Sequence, residues 1–223
     1  MRVTQYSELL MMDILYDMGD CKMKYILSLQ GSMAVGKTTV VNYIRENVPY
    51  VNISYEKNSD VVKEIKRRNL DKNEFSDYIE IQKLWIDKEI ERYEKAQTYE
   101  CSLMDFGAEE IEFYTINYPK SMGFNWDVEG NLKEELNRLG QCMPNRILFL
   151  DASEEVLRNR KENDSTRSRN FFEHYLTYLL PLKKQWFHNK ENVDFLNVDN
   201  LSCEEVAMAV KRWIDDSYQS VLI

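Results

Sequence analysis

Residues 31 to 38 read GSMAVGKT. Two glycines at that interval, followed by lysine and threonine, suit the wrapping of a polyphosphate: successive backbone N–H groups curl round the anion, and a helix start adds its unpaired donors and positive dipole end. Gly31 and Gly36 permit the backbone path, and Ser32, Met33, Ala34 and Val35 supply main-chain amides. Lys37 is placed to reach β- and γ-phosphates, while the Thr38 hydroxyl, with Thr39 behind it, is placed to complete a Mg²⁺ shell. Only seven glycines occur in the chain, so this pair is unlike a chance match. ATP with Mg²⁺ is the expected ligand.

Three acids stand where strands should end: Glu56, Asp105 and Asp151. Transfer of a phosphoryl group to a hydroxyl needs one carboxylate near Mg²⁺ and a second to orient or deprotonate the acceptor. Two of these three could fill both roles. Acids at strand ends also begin helices, favoured by the dipole, and Asp151, followed by ASEE, reads that way. Arg158, Arg160, Arg167 and Arg169 fall within twelve residues of an otherwise acidic chain. On a mobile flap at about 158–170, Arg160, Arg167 and Arg169 would close over the triphosphate and stabilise charge on the transferred oxygens. A solvated helix face paired with Glu155, Glu162 and Asp164 is the other reading.

Positioning such groups takes an alternation of strands and helices, and the chain supplies one. YILSLQ (25–30) reads as a strand ahead of the loop, and Val40, Val41, Ile44 and Val48 have helical spacing after it. Residues 50–55 alternate as a second strand, 60–68 and 75–97 read as helices, and 101–105 as a short buried strand. A helix from 107 is expected to stop before Pro119. Residues 120–130 read as loop, with a helix through Leu132, Leu136 and Leu139 ended by Gly140. Strand 146–150, a helix capped by Ser153, a long helix over 171–187 bent at Pro181, strand VDFLNVDN and a final helix over 203–218 complete the pattern. That predicts a doubly wound α/β fold: a parallel five-stranded sheet with helices on both faces and its ligands beyond the carboxyl ends of the strands.

The 223 residues suit one domain, 24–223, behind an N-terminal extension, 1–23. The extension reads either as a short helix packed on the domain or as sequence ahead of a start at Met23. It carries Glu8, Asp13, Asp17 and Asp20, which argue against a secretory signal. No apolar run approaches the roughly eighteen residues that span a bilayer. Cys21, Cys101, Cys142 and Cys203 lie far apart with no CxxC, so reduced thiols and a cytoplasmic setting are expected. The net charge of −9 argues against a nucleic-acid partner.

With these motifs in hand, most of residues 24–215 resembles the deoxynucleoside kinase family of P-loop kinases. The resemblance rests on the loop, on Glu56 nineteen residues after Lys37, on LRNRKENDSTRSR followed by FFEHYLTYLLPLKKQWF, and on FLNVDN before a last helix. It implies that Glu56 activates a sugar hydroxyl, that Asp105 is the acid that serves Mg²⁺, that Gln82, in DYIEIQKLW, contacts the base, and that a homodimer forms through helix packing. It further implies a (deoxy)nucleoside as the small-molecule acceptor. The chain departs from the family at the third strand, which ends Asp105-Phe106-Gly107 where an acid, arginine and serine are usual, and at Lys57, where a proline usually follows the glutamate. Although Asp105-Phe106-Gly107 spells a protein-kinase magnesium motif, no HRDxxxxN loop precedes it. Two other functions stay open on the residues. One is a P-loop kinase for a nucleoside monophosphate or another small metabolite, with Arg67, Arg68 and Arg92 as extra cations. The other is a regulatory ATPase without an acceptor.

Overall fold

The computed structural model describes residues 24–163 and 171–220. Five strands, β1 (Tyr25–Gly31), β2 (Asn52–Ser54), β3 (Cys101–Asp105), β4 (Arg146–Asp151) and β5 (Val193–Asn197), form one sheet in the order β2-β3-β1-β4-β5. Every pairing is parallel. Helices α1 (Lys37–Asn47), α2 (Ser59–Arg68), α3 (Phe75–Ala96), α4 (Ala108–Ser121), α5 (Val128–Asn131), α6 (Lys133–Gly140) and α7 (Glu154–Glu162) follow in chain order. Then come α8 (Phe172–His174), a π-helical turn (Tyr175–Leu179), α9 (Leu180–His188) and α10 (Cys203–Gln219). The doubly wound α/β architecture expected from the sequence is the one observed.

Alternate residues of the central strands serve the two faces. Leu27 and Leu29 of β1, with Leu148 and Leu150 of β4, join α1 and α10 through Val41, Ile44, Val210 and Ile214. On the other face Phe149 packs on Phe187. Ser28 and Gln30 point there too, and the Ser28 hydroxyl and the Gln30 amide nitrogen both donate to the buried Glu109 carboxylate at the start of α4. This polar pairing explains why two hydrophilic side chains occur inside a fully buried strand.

Several boundaries differ from expectation, each for a physical reason. β2 keeps only three of the six residues predicted, because its ladder to β3 ends at Ser54 opposite Met104. α4 runs through Pro119 to Ser121. Proline leaves the carbonyl four residues back without its helical donor, and here the Tyr78 hydroxyl of α3 donates to that Thr115 oxygen at 2.9 Å. Part of the expected loop 120–130 winds into α5, where the Asp127 side chain accepts from Gly130 N at 3.0 Å. The helix expected over 171–187 is interrupted by the π turn just before Pro181, which widens the coil where the ring would crowd a preceding carbonyl. Ser202 and Glu205 form a reciprocal capping box at α10. Among the described residues no helix is long and apolar enough to cross a membrane.

Candidate active site

The loop leaves β1 at Gly31, and the carboxyl ends of β1 and β3 are neighbours because Leu29 pairs with Asp105. A Cβ on Gly31 would come within 2.8 Å of Val35 Cγ1 and 3.0 Å of the Leu150 carbonyl oxygen, so only glycine fits the turn. Gly36 has φ +99° and serves as N-cap of α1, with no side chain capping the helix. The first turn of α1 also lacks an acid, whereas α2, α3, α4, α6, α7 and α10 each carry at least one. That leaves its positive end uncompensated by any local carboxylate.

This loop forms one wall of a cavity of about 760 Å³, lined continuously from Gly31 through Ser32, Met33, Ala34, Val35, Gly36, Lys37, Thr38 and Thr39 to Val40. Glu56, Phe106, Glu110, Tyr114, Tyr175, Lys183 and Arg160 line the rest, with Cys203 and Val206 of α10 at the rim. The phosphate loop and the expected base therefore share one chamber.

Lys37 is ion-paired with Asp105, and its ammonium lies 3.2 Å from the centre of the Phe106 ring. Burial pushes its pKa below the ordinary lysine range, against the pull of Asp105. Thr38 is exposed toward the cavity at the head of α1. Its hydroxyl and the Asp105 carboxylate are the hard oxygen donors that Mg²⁺ takes, and no group of three His, Cys, Asp or Glu side chains among the described residues forms a metal cage. A donor set this sparse fits a cation that completes its shell with phosphate oxygens and water.

Sequence reasoning missed a second cation. Lys183, from α9, is 1% exposed and ion-pairs with Glu110 at 2.7 Å, also donating to the Gly31 carbonyl oxygen at 3.1 Å. Burial raises the Glu110 pKa, opposed by Lys183. Its signal was present: Leu176, Leu179, Leu180, Lys183 and Phe187 form one buried helical stripe interrupted by a lysine. Tyr175 reaches the chamber from the π turn, its hydroxyl buried beside Ser32 and the main chain of Met33.

Two expected contributors, Arg160 and Gln82, stand differently from their sequence reading. Arg160 lines the chamber but belongs to α7, and its guanidinium donates to the Val35 carbonyl at 2.8 Å and the Val198 carbonyl at 3.0 Å. It braces the loop. Arg167 and Arg169 lie outside the described residues, as does extension 1–23. Gln82 is buried on α3, accepts from the Thr115 hydroxyl at 2.8 Å and is not among the residues lining the chamber. Arg158 pairs with Glu173 at 2.6 Å on the surface, and Asp151 pairs with Lys184 at 2.7 Å.

No protein-family profile matches the chain, and no curated protein matches it in sequence. Solved structures do match. Thymidylate kinase from Candida albicans superposes with a TM-score of 0.60 at 12% identity, over 87% of this chain and 92% of that one. Deoxyadenosine kinase from M. mycoides, with bound dCTP, gives 0.59 at 12% identity, over 86% of this chain and 99% of that one. The likeness shows that the chain shares the fold of these two kinases over nearly the whole described chain.

Proposed function

We propose that this chain is a Mg²⁺-dependent kinase that moves the γ-phosphoryl group of ATP to the hydroxyl of a (deoxy)nucleoside. The observation that supports the reading is the shared chamber, which the loop residues, Lys37 and Glu56 all line. Mg²⁺, held by Thr38 and Asp105, would neutralise charge between the β- and γ-phosphates. Lys37 and the amides hold the triphosphate in line, Glu56 accepts the acceptor hydroxyl's proton, and the aromatic walls Phe106, Tyr114 and Tyr175 exclude water.

Charge favours a neutral acceptor over a nucleoside monophosphate. A phosphate on the acceptor needs uncommitted cations, yet Lys183 is neutralised by Glu110, and Arg67 and Arg68 pair with Glu64 on the surface of α2. Arg92 is fully engaged elsewhere, as shown below. A regulatory ATPase would need no acceptor space beside the loop, whereas Glu56 and the aromatic wall enclose one.

The test is ADP release measured against a panel of nucleosides and nucleoside monophosphates. A neutral nucleoside should stimulate turnover, and Glu56→Gln should lose it while retaining ATP binding. Acceptor-independent hydrolysis alone, or stimulation by monophosphates alone, would overturn the proposal.

A further inference from the structure

Arg92, near the end of α3, read from the sequence as an acceptor cation or as solvated surface, and the structure shows neither. Its side chain is 11% exposed and its partner Glu89 only 5%. The two form a two-pronged pair, Nε to Oε2 and Nη2 to Oε1, both at 2.9 Å. The remaining donors go to main-chain oxygens: Nη1 to Ser54 at 2.9 Å and Asp105 at 3.3 Å, and Nη2 to Phe106 at 2.8 Å. Those carbonyls are the last residue of β2, the last residue of β3, and the residue after it.

That placement is informative because the sheet stops just short of it. The β2–β3 ladder ends at Ser54 opposite Met104, so the two strand ends that carry Glu56 and Asp105 have no backbone pairing to each other beyond this point. A single guanidinium bridges them instead. Phe106 has φ +60°, a left-handed conformation costly for an aromatic residue, which persists only where its surroundings over-determine it. The bond from Arg92 to the Phe106 carbonyl is one such constraint. Glu56, Trp85, Glu89, Arg92 and Phe106 are among the residues lining a small hollow of about 20 Å³, so the clamp and the expected base border one space.

We propose that Arg92, oriented by Glu89, is a positioning residue that fixes the distance between Glu56 and Asp105, and so controls phosphoryl transfer without touching either substrate. Its effect on rate rests on the function proposed above, but its effect on the strand ends does not. The Glu89 carboxyl is pushed up to about 7, by burial first, with Arg92 opposing and Glu109 and Glu56 adding to the rise; the Cys142 thiol also faces it. A carboxyl so desolvated is consistent with a clamp sealed from water.

The experiment compares wild type with Arg92→Lys and with the double variant Arg92→Met/Glu89→Leu, which removes both buried charges together and so avoids stranding one. Lysine keeps the charge but cannot bridge three carbonyls and a carboxylate from one planar fork. Amide exchange is followed by mass spectrometry in peptides covering residues 54–58 and 104–108, alongside Mg·ATP affinity by calorimetry and acceptor-dependent kcat. Both variants should bind Mg·ATP as wild type does, exchange about tenfold faster in those two peptides only, and lose about 100-fold in kcat. Unchanged exchange in a folded variant overturns the clamp whatever the activity. Faster exchange with wild-type kcat overturns the positioning role. If wild type itself turns over no nucleoside, the proposed function fails while the exchange measurement still decides the clamp. Should the double variant not fold, Arg92→Lys carries the same two readings.

Discussion

Lys183→Met removes one half of an ion pair whose side chains are 1% and 6% exposed. At that burial the cost is set less by the lost attraction than by what remains: the Glu110 carboxylate, cut off from water, with its cation gone. Breaking such a pair costs about 3–5 kcal/mol, a large share of the roughly 5–15 kcal/mol that holds a domain together. The Gly31 carbonyl also loses a donor at 3.1 Å. The companion variant, Lys183→Met/Glu110→Leu, replaces both charges by apolar groups of similar size and should recover most of the loss. Urea unfolding followed by circular dichroism reads both, with the m-value serving as a check that the denatured state is unchanged. A single variant that costs less than about 1 kcal/mol would refute the buried-charge reasoning, as would a double variant no more stable than the single.

Stability should also depend on pH through Glu89. Burial holds its folded pKa at about 7, above the 4.5 of an ordinary glutamate in the unfolded chain. The folded state therefore holds the extra proton between those values, and stability falls as pH rises across that window, by on the order of 3 kcal/mol. Glu89→Gln should flatten this slope, and thermal unfolding from pH 4.5 to 8 reports it; an equal slope in the variant counts against the assignment. Tyr78→Phe should cost about 1–2 kcal/mol by stranding the Thr115 carbonyl opposite Pro119 while leaving Mg·ATP affinity intact. A neutral effect on denaturation would mean that the hydroxyl is not what lets α4 pass its proline.

What the sequence made legible was what is contiguous. GSMAVGKT is eight adjacent residues whose geometry is local, and Cys101–Asp105 was bounded correctly because a short buried strand needs only its own apolar run. What escaped depends on partners far along the chain. The end of α4 was misplaced because the donor that rescues the Thr115 carbonyl sits thirty-seven residues away on α3. Arg92 was invisible as a buried group because an isolated arginine reads as surface until its acceptors are known, and these include carbonyls on other elements; Lys183 was marked only by its place in an apolar helical stripe, its carboxylate partner lying on α4. Gln82 was singled out by its place in a motif, yet its amide oxygen is occupied by Thr115.

The basic groups at the site divide by what holds them, and the division says which can move. Lys183 and Arg92 are buried against carboxylates, so exchanging those partners for phosphate would strand a charge in a low-dielectric interior. Arg160 donates to neutral carbonyls, and moving one such bond to a phosphate exchanges a neutral acceptor for an anion. Lys37 is the remaining case, paired with the very carboxylate that suits Mg²⁺. A polyphosphate at the loop would compete with Asp105 for that ammonium, and a carboxylate oxygen so released would be available to hold Mg²⁺. On the proposed function, triphosphate and Mg²⁺ would therefore bind more tightly together than either alone, because the anion would offset the Lys37 ammonium and the cation the Asp105 carboxylate. The Phe106 ring, 3.2 Å from the ammonium, gives Lys37 a second contact beside its paired carboxylate.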